Sequence, residues 1–233
     1  MQDDYNLVYG SVMHEVVEDF YKQELWKLRK DCGEKLIELA KFYFTKILKE
    51  SKIIWTKQKR KTPEGLLEEI LLDIPKLIEA VKKYKLLSKT ALTEYNLRAN
   101  LSEYKIGGRA DLILNQTEGL TLIDGKGSKG KDPDHREQLL FYVLCYYLSK
   151  KQIPRFSGVW YFRECRIEWF AFKVEELKQL RDKILRSRKL IGEGIFKPTE
   201  KRENCFWCEY KNTCLVQKDH LETPYGEIVE AFF

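Results

Sequence analysis

The chain has 233 residues, 43% hydrophobic and 13% aromatic, enough for one large domain with its own core. Its 42 basic and 36 acidic residues leave a formal charge of +6, which permits a polyanionic partner without demanding one. No apolar run approaches the ~18 residues of a membrane span, and the start Met1-Gln2-Asp3-Asp4 lacks the basic and apolar regions of a signal peptide, so a cytoplasmic chain is expected.

Residues 11–30 carry an apolar stripe at helical spacing (Val12, Val16, Phe20, Leu25, Leu28), with Ser11 as N-cap and His14 in the first turn. A lone helical histidine is more often a packing residue than a ligand, and spacing alone does not make His14 one. A second helical pattern covers 32–55, and a basic segment follows at 57–61. A third helix is expected over 64–87, broken or kinked at Pro75. The period then changes to two. Residues 92–101, 104–114 and 120–123 alternate as three strands of an antiparallel meander. A flexible basic loop around Lys129 and Lys131 leads into a helix over 136–150. Strands at 157–162 and 167–172 and a basic amphipathic helix at 174–190 complete the pattern. The order implies a mixed α/β domain: a helical portion (1–90), a core with a central sheet (91–195) and a cysteine-rich tail (196–233).

Chemistry concentrates in the hairpin from Gly107 to Lys126. Asp111 ends one half of it, and Asp124-Gly125-Lys126 ends the other. Residues two apart on a strand share a face, so Asp124 and Lys126 look into one site. Two carboxylates can hold a hard divalent cation, and an ammonium beside them can offset the charge that develops on a phosphoryl group. Gly125 lets a metal or substrate approach the backbone, and its carbonyl can serve as a ligand. Alone, an aspartate two residues before a lysine has almost no specificity; an ordinary salt bridge would look the same.

The surrounding motifs raise that specificity. An early helix carries Gly10-Ser11-Val12-Met13-His14-Glu15, and Glu94 lies on the strand before the hairpin. Gly108-Arg109-Ala110-Asp111, Ile123-Asp124-Gly125-Lys126 and Gln138-Leu139-Leu140-Phe141-Tyr142 follow in order. This set resembles the PD-(D/E)XK nuclease superfamily in its RecB-like exonuclease branch, over most of residues 10–215. The resemblance implies a restriction-endonuclease-like core and a metal-dependent DNA exonuclease acting on single strands or duplex ends. His14, Asp111, Asp124 and the Gly125 carbonyl would hold Mg²⁺ or Mn²⁺, and Lys126 would be the catalytic lysine. Gln138 and Tyr142 would orient Lys126 and the DNA, with Glu94 outside the ligand set. The implied settings are recombination, repair, CRISPR spacer acquisition and viral DNA processing, in a bacterial, archaeal or infected host's cytoplasm. Helicase, integrase-type or identical subunits are the partners of such a chain. The competing class is a catalytically inactive DNA-binding or iron–sulfur module that serves a helicase or nuclease complex.

Cys205, Cys208 and Cys214 form a C-x2-C-x5-C cluster, which in a reducing compartment points to metal or cluster binding rather than disulfides. The tail is similar to that of iron–sulfur members of the branch, among them the CRISPR-associated spacer-acquisition nucleases and AddB-type nuclease domains. The resemblance implies a 4Fe–4S cluster, with zinc as the alternative. In those relatives a fourth cysteine precedes the histidine helix, and here none does. Cys32 is the nearest substitute; His220 or an incomplete remnant are the other outcomes.

Overall fold

The computed structural model of the chain describes residues 5–51, 62–88, 90–128, 130, 133–195, 205, 208, 210 and 214. Its elements are α1 (Tyr5–Lys22), a 3-10 turn (Leu25–Asp31), α2 (Cys32–Glu50), α3 (Pro63–Lys83), β1 (Ala91–Leu101), β2 (Tyr104–Gln116) and β3 (Gly119–Lys126). These are followed by α4 (Pro133–Lys150), β4 (Phe156–Tyr161), a 3-10 turn (Phe162–Glu164), β5 (Arg166–Phe170) and α5 (Val174–Gly192). The chain divides into two compact units, Met1–Arg181 and Asp182–Phe233, with α5 running across the boundary.

The first unit is a five-stranded mixed sheet in the order β1-β2-β3-β4-β5, flanked by helices. The β1–β2–β3 meander is antiparallel, as the alternation predicts, and β4 pairs antiparallel with β5. Strands β3 and β4 run parallel, which requires a crossover, and α4 supplies it. One face of the sheet buries Leu112, Leu114, Ile123, Trp160 and Ile167 against α1, α2 and α3. The other buries Ala110, Ile113, Leu122 and Val159 against Leu139, Tyr142, Cys145 and Tyr146 of α4. Each such side chain, fully buried, contributes about 1.5–3 kcal/mol before entropy is charged against it.

Three expected boundaries move. The first helix begins at Tyr5, so Ser11 lies inside it and is not its N-cap. Val8 and Tyr9 are buried, and they extend the apolar stripe of Val12, Met13 and Val16 backwards by a turn. The expected single helix over 11–30 gives way to a 3-10 turn after Lys22, entered through Glu24 with φ 51°. Pro75 does not break α3, which is continuous across it. It stands on the exposed face, where the Leu71 carbonyl that loses its donor can turn to water. Thr62 starts this helix, its hydroxyl accepting the Gly65 N–H at 3.1 Å, with Pro63 in the first turn.

Candidate metal and phosphodiester site

The site grows from a single row across three strands. Thr93 pairs with Leu112 and Tyr95 with Ala110, which sets Glu94 opposite Asp111. Leu112 pairs with Ile123, so Asp124 falls in line on the far side of Asp111. The β1–β2 pairing is interrupted at Glu94 and Asp111, and Glu94 has φ 47°. A left-handed glutamate in a strand costs of order 1–3 kcal/mol and persists only where packing over-determines it. The interruption turns the strand over. Ala110 belongs to the core under α4 and Leu112 to the core under α1–α3, although residues two apart in a regular strand share a face. The carboxylates therefore lie on the seam between the two cores.

Helix α1 brings His14 to this seam. Its Nδ1 lies 3.5 Å from Asp111 Oδ2, and its ring meets Phe162 edge-on with centroids 5.3 Å apart. The close approach of β3 to α1 depends on the glycines flanking Lys126. A Cβ on Gly125 would lie 2.3 Å from Phe162 Cζ and 3.1 Å from His14 Cε1, and one on Gly127 would lie 2.9 Å from Gly10 Cα. A larger residue at Gly127 would press on the backbone of α1, and one at Gly125 on the Phe162 ring and the edge of His14.

One ligand atom each from His14, Glu94 and Asp111 lies within 4.8 Å of the other two. Among the described residues no other set of three histidines, cysteines or acids converges in this way. Asp111 Oδ2 also accepts the Gly125 N–H at 2.6 Å. Asp124 is deeply buried, and its Oδ2 stands 2.8 Å from Lys126 Nζ. That contact is close enough to pair by charge but not aligned as a hydrogen bond, and the oxygen has no other partner.

The electrostatics show what the site lacks. Burial, then the neighbouring Asp111, push the Asp124 carboxyl up to about 6. Burial likewise raises Asp111, against the Gly125 N–H and Lys126, and raises Glu94, with Asp111 adding to the effect. His14 is held below its ordinary value by desolvation. Acids pushed towards their neutral forms beside a neutral imidazole describe a pocket with too little positive charge. A hard divalent cation would reverse these shifts, and oxygen donors with one imidazole suit Mg²⁺ or Mn²⁺. The donor set of His14, Glu94 and Asp111, with the Asp124 carboxylate beside it, fits such an ion.

On the other side of the row, Lys126 Nζ donates to Gln138 Oε1 at 2.6 Å, and Gln138 Nε2 donates to the Tyr142 hydroxyl at 2.9 Å. The Tyr142 ring is buried against Gly108, where a Cβ would come within 2.6 Å of Cε1. The helical spacing of Gln138 and Tyr142 thus becomes a chain of hydrogen bonds ending on the lysine.

Two residues gain a place that the sequence did not give them. Glu94, expected outside the ligand set, stands beside His14 and Asp111; seeing this requires the β1–β2 register. It also pairs with Arg109, whose Nε lies 2.7 Å from its Oε2. Arg163, in the turn after β4, donates from Nε to the Gly127 carbonyl at 2.6 Å and pairs with Glu69. Its guanidinium lies 3.5 Å from the centre of the Tyr9 ring. Tyr9 donates to Asp73 at 2.7 Å, and Lys76 lies 2.6 Å from the same carboxyl. No local pattern marks Arg163, because its partners are far away in sequence.

The cysteines fall in different settings. Cys32 starts α2, packed in the helical core, where burial pushes its thiol pKa up. Cys145 is fully buried in α4, and Cys165 donates to the Lys76 carbonyl at 3.1 Å. In the second unit, Cys205, Cys208 and Cys214 are half-buried, and the Cys208 N–H donates to the Cys205 carbonyl at 3.2 Å, closing a turn. His220, the basic segment 57–61 and the loop residues Lys129 and Lys131 lie outside the described residues. The six basic side chains on α5, from Lys178 to Lys189, are exposed.

No curated protein matches the chain. Among solved structures, that of SSO0001 is 16% identical, with 83% of this chain and 82% of the other covered and a TM-score of 0.37. A family model, the PD-(D/E)XK nuclease superfamily, matches residues 2–215, which takes in α1 with His14, the whole sheet and the three tail cysteines. The chain belongs to the PD-(D/E)XK nuclease superfamily.

Proposed function

We propose that this chain is a metal-dependent DNA exonuclease of the RecB-like branch, cutting single strands or duplex ends. The observation that carries the reading is the row of Glu94, Asp111 and Asp124, flanked by His14 and closed by Lys126. His14, Glu94 and Asp111, with Asp124 and the Gly125 carbonyl beside them, would hold Mg²⁺ or Mn²⁺. When bound, the ion supplies Lewis acidity to the phosphoryl group and lowers the pKa of water. The protein's own residues do the rest. Gln138 and Asp124 hold the Lys126 ammonium at the mouth of the row, where it orients an attacking water and offsets the charge of the pentacovalent transition state. Tyr142 fixes the amide of Gln138, so its carbonyl oxygen faces the lysine. Phe162 walls one side of His14 and limits water there.

The order of the motifs supports the RecB-like branch, with recombination, repair, spacer acquisition or viral DNA processing as settings and a helicase or integrase-type subunit as partner. Among the described residues no helix is long and apolar enough to cross a membrane, which accords with action on DNA in the cytoplasm. The spacing of Cys205, Cys208 and Cys214 and the turn between the first two support a second, structural centre, 4Fe–4S or zinc, in the tail. Iron and zinc content with an absorption spectrum of anaerobically purified protein decides that part; a colourless, metal-free protein removes it.

The nuclease reading is tested with Mn²⁺ on end-labelled single-stranded and duplex DNA. Wild type is expected to shorten the strands from an end, and chelation to stop it. Equal cleavage by wild type and Lys126→Ala would sink the assignment.

A further inference from the structure

Beyond the seam, β1 and β2 continue as a two-stranded arm with two unlike faces. One face packs Leu97, Ala110 and Ile106 against α4. The other presents Asn96, Arg98 and Asn100 from β1 and Lys105, Gly107 and Arg109 from β2, all six exposed. The register sets Asn96 beside Arg109, Arg98 beside Gly107 and Asn100 beside Lys105, in successive rows. This face carries three cations and no acid; the arm's one acid beyond the site, Glu103, sits in the turn at the tip, beside the Ser102 hydroxyl. Among the described residues no carboxylate pairs with Arg98 or Lys105. The same alternation, continued one step inward, arrives at Glu94 and Asp111. The cationic face therefore leads up to the carboxylate row at the break in the ladder, with Arg109 bridging the two through Glu94.

A solvated face would explain exposed polar residues. It does not explain the single sign of charge, nor the bare middle of the ribbon. A Cβ on Gly107 would lie 2.4 Å from the Leu97 carbonyl oxygen, so no side chain can stand there and the ribbon stays open to close approach. Arg98, Lys105 and Gly107 also line a cavity of about 870 Å³ with Lys151 just past the end of α4, which adds a fourth cation at its edge.

We propose that this face is the track for the sugar–phosphate backbone of the DNA whose end lies in the site; the inference rests on the nuclease reading and extends it. From Asp111 to Lys105 the strand runs about 20 Å at ~3.4 Å per residue. That is the rise of about six nucleotides of a B-form strand. Arg98, Lys105 and Lys151 grip phosphates, while Asn96 and Asn100 donate to phosphate or sugar oxygens. These contacts position the nucleic acid and read no sequence.

The test uses the full chain and the double variant Arg98→Gln/Lys105→Gln, leaving Arg109 intact because it touches Glu94. Binding to a labelled oligonucleotide is measured in EDTA over a range of salt, so that the result does not depend on turnover. The slope of log affinity against log salt is expected to shrink by about 1.8 on a duplex and about 1.4 on a single strand. Cleavage of DNA should fall with the affinity, while hydrolysis of a nitrophenyl ester of a single nucleotide, too short to reach the arm, stays at the wild-type rate. The charge-conserving Arg98→Lys/Lys105→Arg protein should recover the slope. Unchanged affinity and slope in the Gln variant overturn the track and leave the nuclease reading standing. An equal fall on the nucleotide ester also overturns it, since the residues then act on the site itself. Polyglutamate bound as tightly as DNA, with the same loss in the variant, would assign the face to an acidic protein instead.

Discussion

Two buried polar clusters meet at the end of β3, one on each side of Lys126, and they are built on opposite principles. In the first, three carboxyls and an imidazole face one ammonium and, at the rim, the Arg109 guanidinium paired with Glu94, and burial drives every acid towards neutrality. In the second, Arg163 and Lys76 answer Glu69 and Asp73, while burial pushes the hydroxyls of Tyr5 and Tyr9 up, so that they act as neutral hydrogen-bond donors. Each leaves one polar atom buried without a hydrogen bond, Asp124 Oδ2 in the first and Arg163 Nη2 in the second, but the second ties α1, α3 and the turn after β4 to the carbonyl of Gly127. A charge-imbalanced cluster is stable only beside something that will bind it, whereas a balanced one is a clamp. Nearness to the lysine does not separate function from scaffold in this chain. Charge balance does.

Four changes would sharpen or break that contrast. Lys126→Ala should reduce DNA cleavage by about 10²–10³-fold, equivalent to about 2.7–4 kcal/mol of transition-state stabilisation. Its melting temperature should fall less than that of Arg163→Ala, because the remaining acids can take up protons; an equal loss of stability would place Lys126 in the scaffold. Arg163→Ala should do the reverse. Removing one partner of a buried pair costs about 3–5 kcal/mol, and the lower end applies because Glu69 keeps some access to solvent. Urea unfolding should show that loss, and Arg163→Lys should not restore it, since an ammonium cannot hold Glu69 and the Gly127 carbonyl in the same fork.

Smaller effects test the ligand set. Glu94→Gln should weaken Mn²⁺ binding at least about tenfold by calorimetry and abolish most of the metal-dependent rise in melting temperature, which is worth about 2.7 kcal/mol at a hundredfold excess over the dissociation constant. Unchanged metal affinity would reduce Glu94 to an ion-pair partner of Arg109. Gln138→Leu should slow cleavage by about tenfold with metal affinity intact, because it loosens Lys126 without touching a ligand. If metal affinity falls with it, the hydrogen-bond chain through Tyr142 supports the acids as well as the lysine.

Much of the site is legible in the chain because it is local. Asp124 and Lys126 are two apart on a strand, Gln138 and Tyr142 four apart on a helix, and both spacings survive into the structure as shared faces. The meander and the helix after it are legible for the same reason, since period two and period 3.6 are properties of short windows; that this helix is a crossover is not. Pro75 misleads because the cost of a missing donor depends on whether the freed carbonyl faces water, and no window shows that. Glu94 and Arg163 are illegible for a different reason: one needs the pairing of β1 with β2, and the other meets partners 36 and 94 residues away.

The amino-acid sequence by itself determined most of the elements and the placing of Asp111, Asp124 and Lys126 on one hairpin, because these follow from spacing. Tertiary structure alone decided which acid joins His14, where the sheet changes faces, and that the end of β3 is held by a buried guanidinium. Those outcomes depend on register and on close packing between glycines and α1, which only the assembled cores impose.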